Sequence, residues 1–551
     1  MLACGEADAV RPPSAAPCDG ETRAVLALER FHATRLEGDA VHCTVLAGAG
    51  ARYLILPQFS GAELPYGGYG FRIGDPAALP TATVVAEAAS QTMGHDTGEA
   101  SAQFRLDLRL RAMDAAAALV GGRAATIREP VPHLVSSVLA SQRRFSVLST
   151  LDVTPRWTAV DAVLRYEGVR IALYVDTLVA GLFSDADVTA MGALYDGVLA
   201  PRVLAAFGEG SDIDANGRIL LLLTPVVNAL MPAADCATRG YVRGFFFGHD
   251  LASGDSTSNR GEVFYAYVPD PTGRWSCAHS KSDVLANLAP TFMHELQHML
   301  SFGEHVLKRG GPAEEPWLNE GLSHVSEELG ATYWEGVFPA PTGRSDPTQI
   351  LPDSASPYLT PNLLYSYRFL AASPAYSLTS CAPGSFCSQS ERGGGWLFLR
   401  WIVDQHGPAV LRRLVGTDRV GIANLEAATG ESAAVLLGDF AVAVSADSLE
   451  GVSRSAVPLR FQFRTRNLRA LYRRLFQTVG LPGGVARPFP VAPVLIERGA
   501  ARTGSMRLGS FATYSLGSAS DQATIALRFA VPDGGRFPPS LGAQVMVFRI
   551  Q

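Results

Sequence analysis

The sequence has almost no lysine: Lys281 and Lys308 stand alone among 46 basic residues, the rest being arginine. That bias reads as genome composition and carries no mechanism. Charge as a whole is sparse, at 18% of residues with 47% hydrophobic, against a usual charged share of about 25%. A disordered chain and a coiled coil are thereby excluded, and a globular protein with ample core material remains. The net charge of −6 and pI near 6.0 give no footprint for nucleic acid. No apolar run approaches the ~18 residues that a membrane-spanning helix needs, and the longest candidate, Ile219–Leu223, has the length of a buried strand. CxxC pairs are also missing, which argues against a structural zinc site built from thiolates.

What is there begins with seven cysteines: Cys4, Cys18, Cys43, Cys236, Cys277, Cys381 and Cys387. Cys381 and Cys387 flank a short Pro/Gly loop suited to a local disulfide. A workable set is Cys18–Cys43, Cys236–Cys277 and Cys381–Cys387, although connectivity is not determined by sequence. Cys4 is left over. Its Leu-Ala-Cys-Gly context resembles the tail of a bacterial lipobox, and an Ala/Pro/Asp-rich stretch resembling a flexible tether follows. The expectation is an exported protein, extracellular or held at the cell envelope by a lipid on Cys4. A lipid anchor would require a longer precursor, because Met1-Leu2-Ala3 cannot direct export.

The 551 residues suggest about three domains. Residues 1–24 read as the tether and 25–150 as an N-terminal β domain, with Phe104, Leu106, Leu108 and Leu110 alternating with charged residues as in a half-buried strand. Residues 151–455 read as the central domain. There Ser184 and Asp187 form a capping-box pattern, Ile219–Leu223 and Val263–Val268 read as strands, and Trp396–Val403 is apolar all round, like a buried helix. Residues 456–551 read as a C-terminal β domain, with alternation at Thr524–Phe529 and Val545–Ile550.

The chemistry is concentrated in Thr291-Phe-Met-His294-Glu295-Leu-Gln-His298, an HExxH sequence. Residues four apart share a helix face, so His294 and His298 can aim at one ion, while Glu295, about 100° round, can reach a water. Gly303 follows as a candidate C-cap. A catalytic zinc site needs a third protein ligand and an open fourth position. Glu320, in Pro316-Trp-Leu-Asn-Glu-Gly-Leu-Ser323-His324, lies 22 residues after His298, enough for one helix to end and a second to return; Gly330 is a candidate end for that second helix. The rival HExxHxxGxxH pattern fails, since Ser301 and Glu304 occupy its Gly and His positions.

HELQHMLSF followed by WLNEGLS resembles the gluzincin metallopeptidases, and most of all the hyicolysin family of secreted bacterial neutral metalloproteases. The resemblance implies zinc held by His294, His298 and Glu320, with Glu295 as the catalytic glutamate. It also implies an α+β fold: a zincin-type catalytic domain, with a mixed sheet, an active-site helix and a helical lower subdomain, flanked here by N- and C-terminal β-sandwich-like domains. In thermolysin-like enzymes an aspartate follows NExxS and orients a zinc histidine; His324 stands there instead, so the surroundings of the histidines must differ.

The implied activity is a zinc endopeptidase on protein or peptide substrates, acting as a monomer. Tyr333, Tyr365, Tyr367, His305 and His324 are candidates to stabilise the oxyanion. The strand Glu262–Val268 is expected to offer the sheet edge to which substrate adds. Two other classes remain open: a zinc-binding but inactive adhesion or scaffold protein, and a zinc hydrolase of non-peptide amides. Separately, Asp212-Ile-Asp214-Ala-Asn216-Gly217 has the spacing of calcium loops, but Leu223 replaces the closing glutamate of an EF-hand. It reads either as a non-EF calcium site on Asp212, Asp214 and Asn216 or as a plain Asx-rich turn.

Overall fold

The computed structural model describes residues 24–551 apart from 27, 29–30, 62–66, 79, 83–101, 122–138, 153, 253–255, 338–355, 382–386, 448, 450, 482–483 and 518–523. Cys4, Cys18 and the expected tether lie outside the described residues, and so does the Cys18–Cys43 pairing. The fold is α+β, with three six-stranded sheets and many helices among the described residues.

The central sheet carries the site. Its strands are β1 (Gln142–Leu148), β2 (Trp157–Glu167), β3 (Ile171–Asp176), β4 (Ile219–Leu223), β5 (Gly244–Phe246) and β6 (Val263–Ala266), in spatial order β5-β6-β4-β3-β2-β1. β3, β4 and β6 run parallel, and β5 pairs antiparallel to β6 at the margin. The edge strand beside the cleft is therefore β5, not the Glu262–Val268 segment: β6 is paired on both sides. Ile219–Leu223 is buried along its whole length, as its unbroken apolar run requires.

Five helices matter for the site: α1 (Ala102–Gly121), α2 (Lys281–Phe302), α3 (Pro316–Val337), α4 (Ser356–Ala371) and α5 (Gln389–His406). The alternating stretch around Phe104 is thus helical, not a strand. Ala102, Leu106 and Leu110 are buried at a spacing of four. Residues 102–113 contain no Val, Ile or Thr and are rich in Ala, Leu and Arg, which favour helix. α2 begins at Ser280, whose side chain accepts from Asp283 N, and runs through Pro290. Gly303 does not reverse the chain there. It is right-handed (φ −57°) and leads into a widened turn over Gly303–Lys308; the positive φ comes at Gly310. Gly330 likewise does not end α3, where a Cβ would strike the Tyr358 ring at 2.3 Å. The Ser184/Asp187 capping box is formed, and α5 is buried from Ser390 to Asp404 with its own box at Ser388 and Glu391. The helical stretch Asp185–Phe207 is long and apolar enough to cross a membrane by composition alone, yet Met191, Tyr195, Leu199, Val203 and Phe207 pack into the core.

The two expected terminal β domains are one unit. Arg52–Phe59 pairs with Ala543–Arg549 over seven residues, and Gly68–Gly74 lies between Ala501–Arg507 and Thr524–Ala530. A single core joins Tyr53, Phe59, Phe71 and Ile73 to Tyr514, Phe529, Val545 and Val547. Strands from the two ends interleave within both sheets, so each end supplies hydrogen-bond partners to the other. The boundaries near 150 and 456 shift accordingly: β1 belongs to the central sheet, and the helix Leu468–Thr478 packs on α4, Tyr472 Oη meeting Ser366 Oγ at 2.8 Å. Disulfides join Cys236 to Cys277 and Cys381 to Cys387.

Candidate metal centre

α2 presents His294 and His298 one turn apart, and α3 returns against it to bring Glu320 opposite them. His294 Nε2 and His298 Nε2 are 3.1 Å apart. Glu320 Oε2 is 3.5 Å from His294 Nε2, and Glu320 Oε1 is 3.8 Å from His298 Nε2. Tetrahedral zinc with bonds of roughly 2.0–2.2 Å sets its ligands about 3.4 Å apart, so these three donors fit one ion. All three residues are buried.

Each donor is held by a partner. His294 Nδ1 meets Glu327 Oε1 at 2.8 Å, and His298 Nδ1 meets Asn319 Oδ1 at 3.1 Å. The Glu327 carboxylate also meets His324 Nδ1 at 3.2 Å and accepts from Asn362 Nδ2 at 3.0 Å. Where thermolysin-like enzymes use the residue now occupied by His324, this chain orients His294 with Glu327. Sequence reading missed Glu327; its position seven residues after Glu320 on one helix was the available signal. Glu327 could also group with His294 and His324 around an ion, but its oxygens are engaged by three hydrogen-bond partners, which suits a group that orients ligands.

Glu295 is buried beside the histidines, Oε2 accepting from Phe246 N of β5 at 3.0 Å. Burial, then the Asp107 carboxylate, pushes its carboxyl up to about 8, against His294 and Arg111. A bound cation acts in the opposite sense and favours the carboxylate. Burial also raises Glu320, but Arg392 Nη1 at 2.7 Å and the two histidines outweigh it and hold that carboxyl well below its usual range. Burial drives His298 well down, Arg111 adding to it, which favours the neutral ring that a ligand needs. His294 goes up: Glu320 and Glu327 overcome its burial.

The cleft in front of these groups is lined by Asp107, Tyr241, Arg243, His324, Tyr365 and Arg392, among others. Of the five oxyanion candidates, His324 and Tyr365 reach it. Tyr367 Oη is bonded to the backbone of Arg487, Tyr333 lies under Arg202, and His305 is buried against Glu314. Glu304, the rejected third position, pairs with Lys308 and Arg309. Asp107 and Arg392 were also missed by sequence reading, being 187 and 98 residues from His294 with no motif around them.

At the second acidic cluster the expected ligand set does not assemble. Asn216 turns back on its own loop, donating to Asp214 Oδ2 at 2.7 Å and accepting from Arg218 N at 2.6 Å, while Asp212 accepts from Gly217 N. Glu262 takes the place of Asn216 beside Asp212 and Asp214. These are the contacts of an Asx-rich turn, and nothing in them selects calcium. Burial, with Asp214 and Asp212 adding to it against hydrogen bonds from Ser211 and Ile213, pushes the Glu262 carboxyl up from 4.5 to about 7. The folded state therefore keeps a proton that the unfolded chain loses. This contribution to stability is complete below pH ~4.5 and is lost as pH rises through ~7. Glu262→Gln is expected to remove that pH dependence and to be more stable than wild type at pH 8 by on the order of 2 kcal/mol. Urea unfolding in chelator at pH 5 and pH 8 measures this; identical pH dependence of both proteins would contradict it.

No protein-family model matches the chain. A 198-residue stretch is 28% identical to the neutral metalloprotease ShpI of Staphylococcus hyicus, covering 36% of this chain. The stretch spans 42% of that relative's own length. The likeness is distant and partial, and two disulfides stand among the described residues. What the chain is similar to, over about a third of its length, is a neutral metalloprotease.

Proposed function

We propose that the chain is a zinc-dependent metalloendopeptidase of hyicolysin type, exported, acting on protein or peptide substrates. The reading rests above all on the convergence of His294 Nε2, His298 Nε2 and the Glu320 carboxylate within 3.1–3.8 Å, with Glu295 buried next to them. His294, His298 and Glu320 would hold the ion. When bound, zinc supplies Lewis acidity toward water and toward the scissile carbonyl.

The chain's own groups do the rest. Glu295 takes the proton of the attacking water on its carboxylate and passes it to the leaving amine. Its hydrogen bond from Phe246 N fixes one oxygen, which orients the carboxylate toward the cleft. Glu327 and Asn319 hold the histidine rings. His324, whose buried Nε2 has no hydrogen-bond partner among the described residues, and Tyr365 are the groups placed to meet the developing oxyanion. An extended peptide would add to the outer edge of β5 through its backbone. The lipid on Cys4 belongs to the same proposal; free-thiol and intact-mass analysis of protein from its own host tests it.

The test is metal removal. Zinc-loaded chain is expected to cleave unfolded casein over hours, to lose at least ~99% of that rate in 1,10-phenanthroline, and to regain it with added zinc. Stoichiometric zinc without cleavage of casein by any variant would favour the inactive scaffold. Cleavage that survives chelation would remove the metal from the mechanism.

A further inference from the structure

α1 lines the cleft with Gln103, Phe104 and Asp107, and one of its faces is matched to the strand where substrate would add. Gln103, Asp107, Arg111 and Asp114 recur at helical spacing on that face. Gln103 Nε2 donates to Gly244 O at 2.9 Å, and Gln103 Oε1 accepts from Arg243 N at 2.9 Å. Arg111 Nη2 donates to Phe246 O at 2.9 Å, and Asp114 Oδ1 accepts from Gly248 N at 3.0 Å. A further backbone group of this stretch, Phe246 N, is taken by Glu295. A mere wall of the cleft would leave these backbone groups for a peptide. Here they are satisfied by side chains of the same protein.

Asp107, midway along that face, enters the centre. Ligand atoms of Asp107, His294 and Glu320 lie within 4.8 Å of one another, and Asp107 is 3% exposed. Its oxygens are held by Gln103 Nε2 at 2.9 Å and Arg392 Nη1 at 3.3 Å, the guanidinium that also holds Glu320. Phe104 covers Arg392, its ring centroid 4.0 Å from the guanidinium carbon. A catalytic zinc site keeps one position open; Asp107 stands beside His294 and Glu320 where a fourth donor would sit.

We infer that α1 is an autoinhibitory element, which takes the place of the substrate backbone on β5 and sets the Asp107 carboxylate where the reacting carbonyl must go. The inference rests on the metallopeptidase reading above. A substrate competes with a tethered helix, whose effective concentration is on the order of millimolar, so the intact chain is slow and displacement of α1 activates it.

The experiment uses the full, zinc-loaded chain. In a Glu295→Gln background, where nothing is cleaved, affinity for a peptide hydroxamate is measured by calorimetry with and without Asp107→Asn plus Gln103→Ala. The double change is expected to tighten hydroxamate binding at least ~10-fold and, with Glu295 intact, to raise casein cleavage by a similar factor. Gln103→Ala alone, which frees β5 without touching the centre, is expected to act in the same direction about 3-fold, and it serves if the Asn variant does not fold. Tighter hydroxamate binding with no cleavage by any variant supports the occlusion and sinks the peptidase reading. Unchanged or weaker hydroxamate binding in folded variants overturns the inference and makes α1 a fixed wall.

Discussion

Glu295→Gln is expected to keep zinc at wild-type stoichiometry and to lose casein cleavage by at least ~10²-fold, the lower end of what general-base catalysis contributes. The amide has the size of the carboxylate, and its Oε1 can still accept from Phe246 N, so the packing between α2 and β5 survives. What it cannot do is take a proton from water. In the proposed site Glu295 is not one of the three donors, and its substitution leaves His294, His298 and Glu320 in place. The comparison is best made with Asp107→Asn in both proteins, so that occlusion by α1 does not mask the difference. A variant that retained more than about a tenth of the rate would remove Glu295 from the proton transfer.

Glu320→Ala is expected to lose the metal itself, with zinc affinity falling by more than ~10²-fold, because partners of ligands alone are worth 10–100-fold. Two histidines leave two open positions. The change also strips Arg392 of its 2.7 Å partner, leaving the buried guanidinium with Asp107 as the carboxylate it pairs with and the Cys387 carbonyl accepting from its Nε. Metal analysis after dialysis, with titration by a competing chelator, gives the measure. Wild-type affinity in this variant would name Asp107 as the replacement ligand, since Glu304 and His305 are engaged elsewhere.

The centre was legible where its geometry is local. His294 and His298 are one helical turn apart, and any helix through them brings their nitrogens together. The pairing with Glu320 needed only a helix, a turn and a returning helix. The capping box at Ser184 and the buried run of Ile219–Leu223 follow from the same short-range rules. Where a local pattern fits two structures, reading failed. Leu106, Asp107 and Arg109 suit a strand by alternation and a helix by propensity, and burial of Ala102, Leu106 and Leu110 at a spacing of four decides for the helix. Gly303 and Gly330 suit helix ends by composition. One instead continues the chain in right-handed backbone, and the other makes room for Tyr358.

The sequence by itself determined that His294 and His298 share one face of α2, that Glu295 stands beside them and that Glu320 returns opposite them on α3, because spacing along one or two helices decides which side chains meet. Only the tertiary structure decided which strand is the edge, that the two chain ends share two sheets, and that Asp107 and Arg392 stand at the centre. Those juxtapositions join residues tens to hundreds of positions apart. They are selected by the need to pair backbone edges and to cover buried charge in the assembled core, and no window of sequence carries that information.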